Sequence, residues 1–116
     1  MKNLRNLAGL VLAAGLAAAA QAAPVGEVSA ATGKIFDGEN YMVVKKDMKK
    51  GEVMKPHNHP GFKTLIFAVG DGVFDVTLNQ TEKHRVGEGE VLRFDGESYI
   101  GAVAEEDASV VITLIK

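Results

Sequence analysis

The chain has 116 residues, with 13 basic and 15 acidic side chains and no cysteine. That size fits one domain with a modest core, and the charge balance gives no electrostatic reason to seek nucleic acid or anionic lipid. The lack of thiols excludes disulfides, redox chemistry and cysteine nucleophiles, so stability rests on core packing, metal or association.

The first element is an address. Lys2 and Arg5 make a positive start, residues 7–20 are all Leu, Ala, Val and Gly, and Ala20-Gln21-Ala22 ends the run on small residues. This pattern reads as a secretory signal cleaved after Ala22. The alternative is a retained N-terminal anchor. The apolar run is short for a membrane span, and its C-terminal flank lacks positive charge. The composition looks bacterial, so the expected destination is the periplasm or beyond. Cleavage removes Lys2 and Arg5 and no acid, so 11 basic and 15 acidic side chains remain and the net charge becomes −4. Residues 23–33 then read as an N-terminal segment and residues 34–116 as the domain.

After Pro24 no window shows a helical period, and eleven glycines punctuate the chain as turns of an all-β fold require. Tyr41 to Val44 is an apolar run. From Lys63 to Val69, Lys63, Leu65, Phe67 and Val69 alternate with Thr64, Ile66 and Ala68, and both faces are largely apolar. Such a strand is expected to be buried on both sides, in a sandwich core or under a partner subunit. Gly70-Asp71-Gly72 reads as a tight hairpin. In Val73 to Asn79, Phe74, Val76 and Leu78 point one way and Asp75, Thr77 and Asn79 the other. Gly87 and Gly89 bracket a turn before Val91 to Phe94, and Ser109 to Ile115 is a β-branched closing strand. Short, regularly spaced strands predict a sandwich or barrel. There is no internal repeat, low-complexity tract or later linker.

His57 and His59 are two apart, so in extended backbone both imidazoles leave one face and can reach one metal. Pro60-Gly61 then turns the chain, and Lys63 is expected to project toward the same space. Metals of the Zn, Fe, Mn, Ni and Cu class accept imidazole, but two ligands make a weak site. His84 has the parity of Val86, an expected core position. It is a candidate third ligand, or a partly exposed histidine near a strand end. Met54 reads as core filler, with a parity opposite to His57 that aims it elsewhere.

Gly51, five residues, His57-Asn58-His59, three residues, Lys63, six residues and Gly70 form a fixed frame. This frame resembles the first motif of the cupins. Lys50-Gly51-Glu52-Val53-Met54, Pro60-Gly61, Val69-Gly70 and the ending from Glu105 to Val111 are also similar to short bacterial cupins. The resemblance covers about Lys34 to Lys116. It implies an all-β antiparallel jelly-roll barrel, often dimeric, whose pocket opens at one end and is lined by the two histidines. Cupins usually carry glutamate where this chain has Lys63. In the second motif, Asp95 stands where they usually place proline, and Ile100 where they usually place the last metal histidine. A lysine beside the metal position opposes binding by direct repulsion, and isoleucine cannot coordinate.

Lys63 is expected to pair with a carboxylate such as Glu97 or Glu82, or to extend to the pocket mouth. The alternative is an amine nucleophile or base with a lowered pKa. Gly51 and Gly70 read as turn glycines whose replacement costs stability and not chemistry. Three functional readings follow. The first is a secreted cupin binding a small ligand, with His57, His59 and Lys63 as the polar wall and a weak divalent transition metal at His57 and His59. The others are a metal-dependent oxygenase or isomerase with an incomplete ligand set, and a structural or interaction protein. No organic cofactor, nucleic acid or membrane contact after cleavage is expected, and a homodimer is.

Overall fold

The structure, a computed structural model, describes residues 24–116. The leader assigned to residues 1–22 lies outside the described residues. Among these there are nine strands and no helix. They are β1 (Gly33–Asp37), β2 (Tyr41–Met48), β3 (Val53–His57), β4 (Thr64–Asp71), β5 (Val73–Leu78), β6 (Glu82–Gly87), β7 (Val91–Phe94), β8 (Ile100–Ala104) and β9 (Ala108–Ile115). A five-stranded sheet runs β1-β2-β9-β4-β7 and a four-stranded sheet runs β3-β8-β5-β6. Every pairing is antiparallel.

The two sheets face each other across one core. On β5 the expected alternation holds: Phe74, Val76 and Leu78 are buried, while Asp75 is exposed and Thr77 half-buried. Leu65, Phe67 and Val69 of β4 and Val110 and Leu114 of β9 supply the opposite wall. Phe67 and Phe74 meet between the sheets edge to face, with centroids 5.4 Å apart and planes at 82°. Burying such a ring contributes about 1.5–3 kcal/mol, and the edge-to-face geometry adds about 0.5–1.5 kcal/mol.

The structure changes three sequence readings. The tight hairpin at Gly70-Asp71-Gly72 does not form. β4 pairs with β9 and β7, whereas β5 pairs with β8 and β6, so the tripeptide is a corner between sheets. A short glycine-rich break looks the same in either role, and only the pairing partners decide. The turn role assigned to Gly70 belongs to Gly72, which has φ +74° and packs so closely on Asp107 and Ala108 that a Cβ would lie 2.6 Å from the Ala108 Cβ. Gly70 instead stands inside β4 at a register shift, where a Cβ would meet only Ser109 Oγ at 3.5 Å. Finally, the sandwich buries one face of β4 only. Ile66 and Ala68 are half-buried on the outer surface of the sheet. Gly51 does occupy a turn, at φ +87°, and its N–H donates to Ala104 O at 2.8 Å.

Candidate ligand pocket

The site begins where β3 ends. β3 pairs only with β8, with Met54 opposite Ala102 and His57 opposite Ile100, and the register shifts between them. Three residues of β3 therefore span two of β8, which is a bulge. Pro56 lies inside it and has no N–H for the ladder, which supplies the physical cause. The bulge cancels the parity argument made for Met54. Met54 and His57 both stand opposite the buried residues Ala102 and Ile100, on one side of the sheet. Met54 is 8% exposed and belongs to the core cluster, so its role is packing.

Beyond β3 the backbone turns at once. The His59 carbonyl accepts from Phe62 N–H at 3.2 Å, with Gly61 at φ +96° between them. Proline followed by glycine at positive φ is the sequence of a type II turn. The His59 N–H donates to Gly96 O at 2.8 Å. This geometry brings the two imidazoles together, with centroids 4.8 Å apart and planes at 77°.

Each ring is prepared to accept. His57 Nδ1 lies 2.7 Å from Lys55 O. A carbonyl can only accept, so Nδ1 carries the hydrogen and the neutral ring leaves Nε2 bare. Burial, and secondarily the charge of His57, holds the His59 pKa below its ordinary 6.5. His59 is therefore neutral at neutral pH, the form that binds metal or accepts a ligand's hydrogen bond.

The other candidates stand apart. The Lys63 N–H donates to Ile115 O at 2.8 Å. Its side chain is exposed and lines a recess of about 290 Å³ with Thr64, Arg93, Phe94 and Asp95, a recess that includes neither histidine. Among the described ion pairs none joins it to Glu82 or Glu97. His84 lies opposite Val76 on β6, with Nε2 2.6 Å from Glu82 Oε2. β3 and β6 are the two edges of the four-stranded sheet, separated by three strand spacings of about 4.8 Å each. Two ligands of one zinc ion lie within about 4 Å of each other, since each bond is about 2 Å. The structure does not bring His84 to the pair, and among the described residues no three His, Asp or Glu side chains gather around a metal position. Ile100, directly across from His57, is 2% exposed. The residues present offer two imidazoles, which suits a weak open site and not a closed ligand set.

Sequence reasoning missed the loop that props the pair. Gly96 lies so close to the His59–Phe62 turn that a Cβ would run into Phe62 O and lie 2.7 Å from His59 O. Asp95 Oδ1 accepts from the N–H and the hydroxyl of Ser98, both at 2.9 Å. Asn79, at φ 50°, accepts the Tyr99 N–H on its side-chain oxygen at 2.9 Å and donates its own N–H to Tyr99 O at 2.8 Å. The loop between β7 and β8 is thus pinned to the histidine turn on one side and to the β5–β6 loop on the other. The Asp95-Gly96 dipeptide was the available signal.

No family model matches the sequence, and no curated protein matches it. Solved structures do resemble the fold. An RmlC-like cupin from Desulfovibrio desulfuricans aligns at 22% identity and TM-score 0.67, covering 72% of this chain and 78% of that one. KdgF from Halomonas aligns at 29% identity and TM-score 0.64, covering 71% and 75%. A protein with a double-stranded β-helix domain from Klebsiella pneumoniae aligns at 15% and TM-score 0.65, covering 77% and 81%. Two facing antiparallel sheets closed around one core, with similarity to that domain, make the architecture a double-stranded β-helix. More narrowly, the chain has the fold of the cupin superfamily.

Proposed function

We propose that this protein is an exported small cupin that binds a small molecule, with His57 and His59 as the polar wall of the pocket and a weak divalent transition-metal site at the histidine pair. The observation that carries this reading is the 4.8 Å contact between two half-buried imidazoles. One ring is held neutral and the other presents a bare Nε2, so together they form an acceptor pair. A ligand with hydrogen-bond donors or an imidazole-seeking cation complements it. Buried Ile100 and exposed Lys63 stand where the resemblance implies a histidine and a glutamate, so oxygenase or isomerase chemistry has no complete ligand set to work from. The leader pattern supports export to the periplasm or beyond, and the chain acts as a homodimer.

Titration calorimetry with zinc and nickel ions, on protein purified without a histidine tag, tests the metal arm. The expected result is weak binding that disappears in the His57→Ala/His59→Ala variant. Binding unchanged in that variant would place the metal elsewhere and overturn the assignment.

A further inference from the structure

We infer that the recess between the start of β4 and the end of β7 binds the carboxylate of a small organic acid, held by Lys63, Arg93 and the Thr64 hydroxyl. This site lies apart from the histidine pair, and neither imidazole lines it.

Strand pairing builds the recess. On β7, an edge of the five-stranded sheet, Arg93 stands directly across from Ile66 of β4. Thr64 lies two residues before Ile66 and shares its face, so it is diagonal to Arg93, about 7–8 Å away and within reach of a long side chain. Lys63 immediately precedes the strand, its backbone fixed by the bond from its N–H to Ile115 O at 2.8 Å. With Phe94 and Asp95 these residues border a space of about 290 Å³. Ligand pockets run from about 300 to 1,000 Å³, so this one suits a small acid and not a large molecule.

Charge sets this recess apart. Among the described ion pairs and hydrogen bonds, neither the Lys63 ammonium nor the Arg93 guanidinium has a partner. The other recesses are matched internally. Beside β6, Arg85 meets Glu105 at 3.2 Å and His84 meets Glu82 at 2.6 Å. Beside β2, Lys45 lies 3.4 Å from Asp47. Here the single carboxylate, Asp95, has its Oδ1 engaged by the N–H and hydroxyl of Ser98, both at 2.9 Å. Two cations less one carboxylate leave a net charge of +1, which matches a monoanion better than a phosphate dianion. Arginine offers parallel N–H donors that fit both oxygens of a carboxylate, lysine adds a point charge, and the Thr64 hydroxyl is a further donor. Buried Phe94 supplies an apolar side for the carbon chain of the acid.

The test is an NMR titration of isotope-labelled protein, isolated from cells expressing the full chain, at neutral pH and low ionic strength. The probes are acetate, its uncharged counterpart acetamide, and inorganic phosphate as the rival anion. Acetate is expected to shift the amide signals of Lys63, Thr64, Arg93 and Asp95 to saturation, and acetamide to leave them in place. Lys63→Gln and Arg93→Gln should each raise the acetate Kd about fivefold or more. Both side chains are exposed, so these variants should keep the parent's far-ultraviolet circular dichroism spectrum. Lys83→Gln removes an equal charge from the other sheet and should change the Kd by less than about twofold. Shifts that never saturate, or an acetate Kd unchanged in both site variants, overturn the site. Equal weakening by Lys83→Gln reduces the effect to the overall field of the protein and overturns the site as well. Phosphate binding there more tightly than acetate overturns the carboxylate assignment.

Discussion

The imidazoles of His57 and His59 are held differently. His57 is tied through Nδ1 to a backbone carbonyl. His59 is partly desolvated and faces a second ring, which lowers its pKa from 6.5. A base whose folded pKa is depressed binds fewer protons folded than unfolded between that pKa and 6.5, so stability falls as pH drops below about 6.5. The melting temperature of the metal-free protein should therefore decline from pH 7.5 to 5.0, and decline less in His59→Gln. Equal slopes in parent and variant would remove His59 as the source. Ile100 offers a second test at this scale. It lies opposite His57 and is buried, so Ile100→His brings a third imidazole toward the pair at a cost of about 1–3 kcal/mol for burying a polar ring. Zinc affinity should rise while the metal-free protein melts earlier. A calorimetric titration showing unchanged affinity would mean that position 100 does not view the pair.

Loops and corners place these residues, and glycine at two positions makes the placement possible. Gly72 turns between sheets at positive φ against Asp107 and Ala108, whereas Gly70 has room for a side chain. Gly72→Ala should lose about 1–3 kcal/mol in urea unfolding and Gly70→Ala clearly less. The reverse order would contradict the corner assignment. Gly96 is the second such position. Its backbone supports the His59–Phe62 turn with no space for a Cβ. Gly96→Ala should move the turn, so the His57 and His59 ring protons shift in NMR spectra more than those of His84 on the far sheet edge. A spectrum in which all three histidines shift alike would indicate a global effect instead.

Across the whole molecule the last strand holds the larger sheet together. β9 lies between β2 and β4 and pairs along its length with both. Strands far apart in sequence are joined only through the C-terminal segment, so the sheet closes late and depends on non-local contacts. A chain ending at Asp107 should show no cooperative thermal transition by circular dichroism, because removing β9 unpairs β2 and β4 at once. A folded truncated chain would mean that another strand can bridge that gap. From the same central position β9, with β2 and β4 beside it, displays alternate residues outward, and none of the described residues forms a further layer over them.

Alternation and breakers were legible in the residues alone. Phe74, Val76 and Leu78 announce β5 because a strand with one buried face has period two, and Pro60-Gly61 announces its turn because proline and glycine supply the required dihedrals. The 57–59 spacing was enough to expect both imidazoles on one side. Sheet membership was not legible: β4 and β5 adjoin in sequence but lie in different sheets, because hydrogen-bond partners more than twenty residues away decide the pairing. The direction of Met54 turned on a bulge at Pro56, and the remoteness of His84 on strand order. Sequence sets which residues can share a face, through local geometry. Which faces meet, and which histidines become neighbours, is set by long-range pairing that local geometry does not encode.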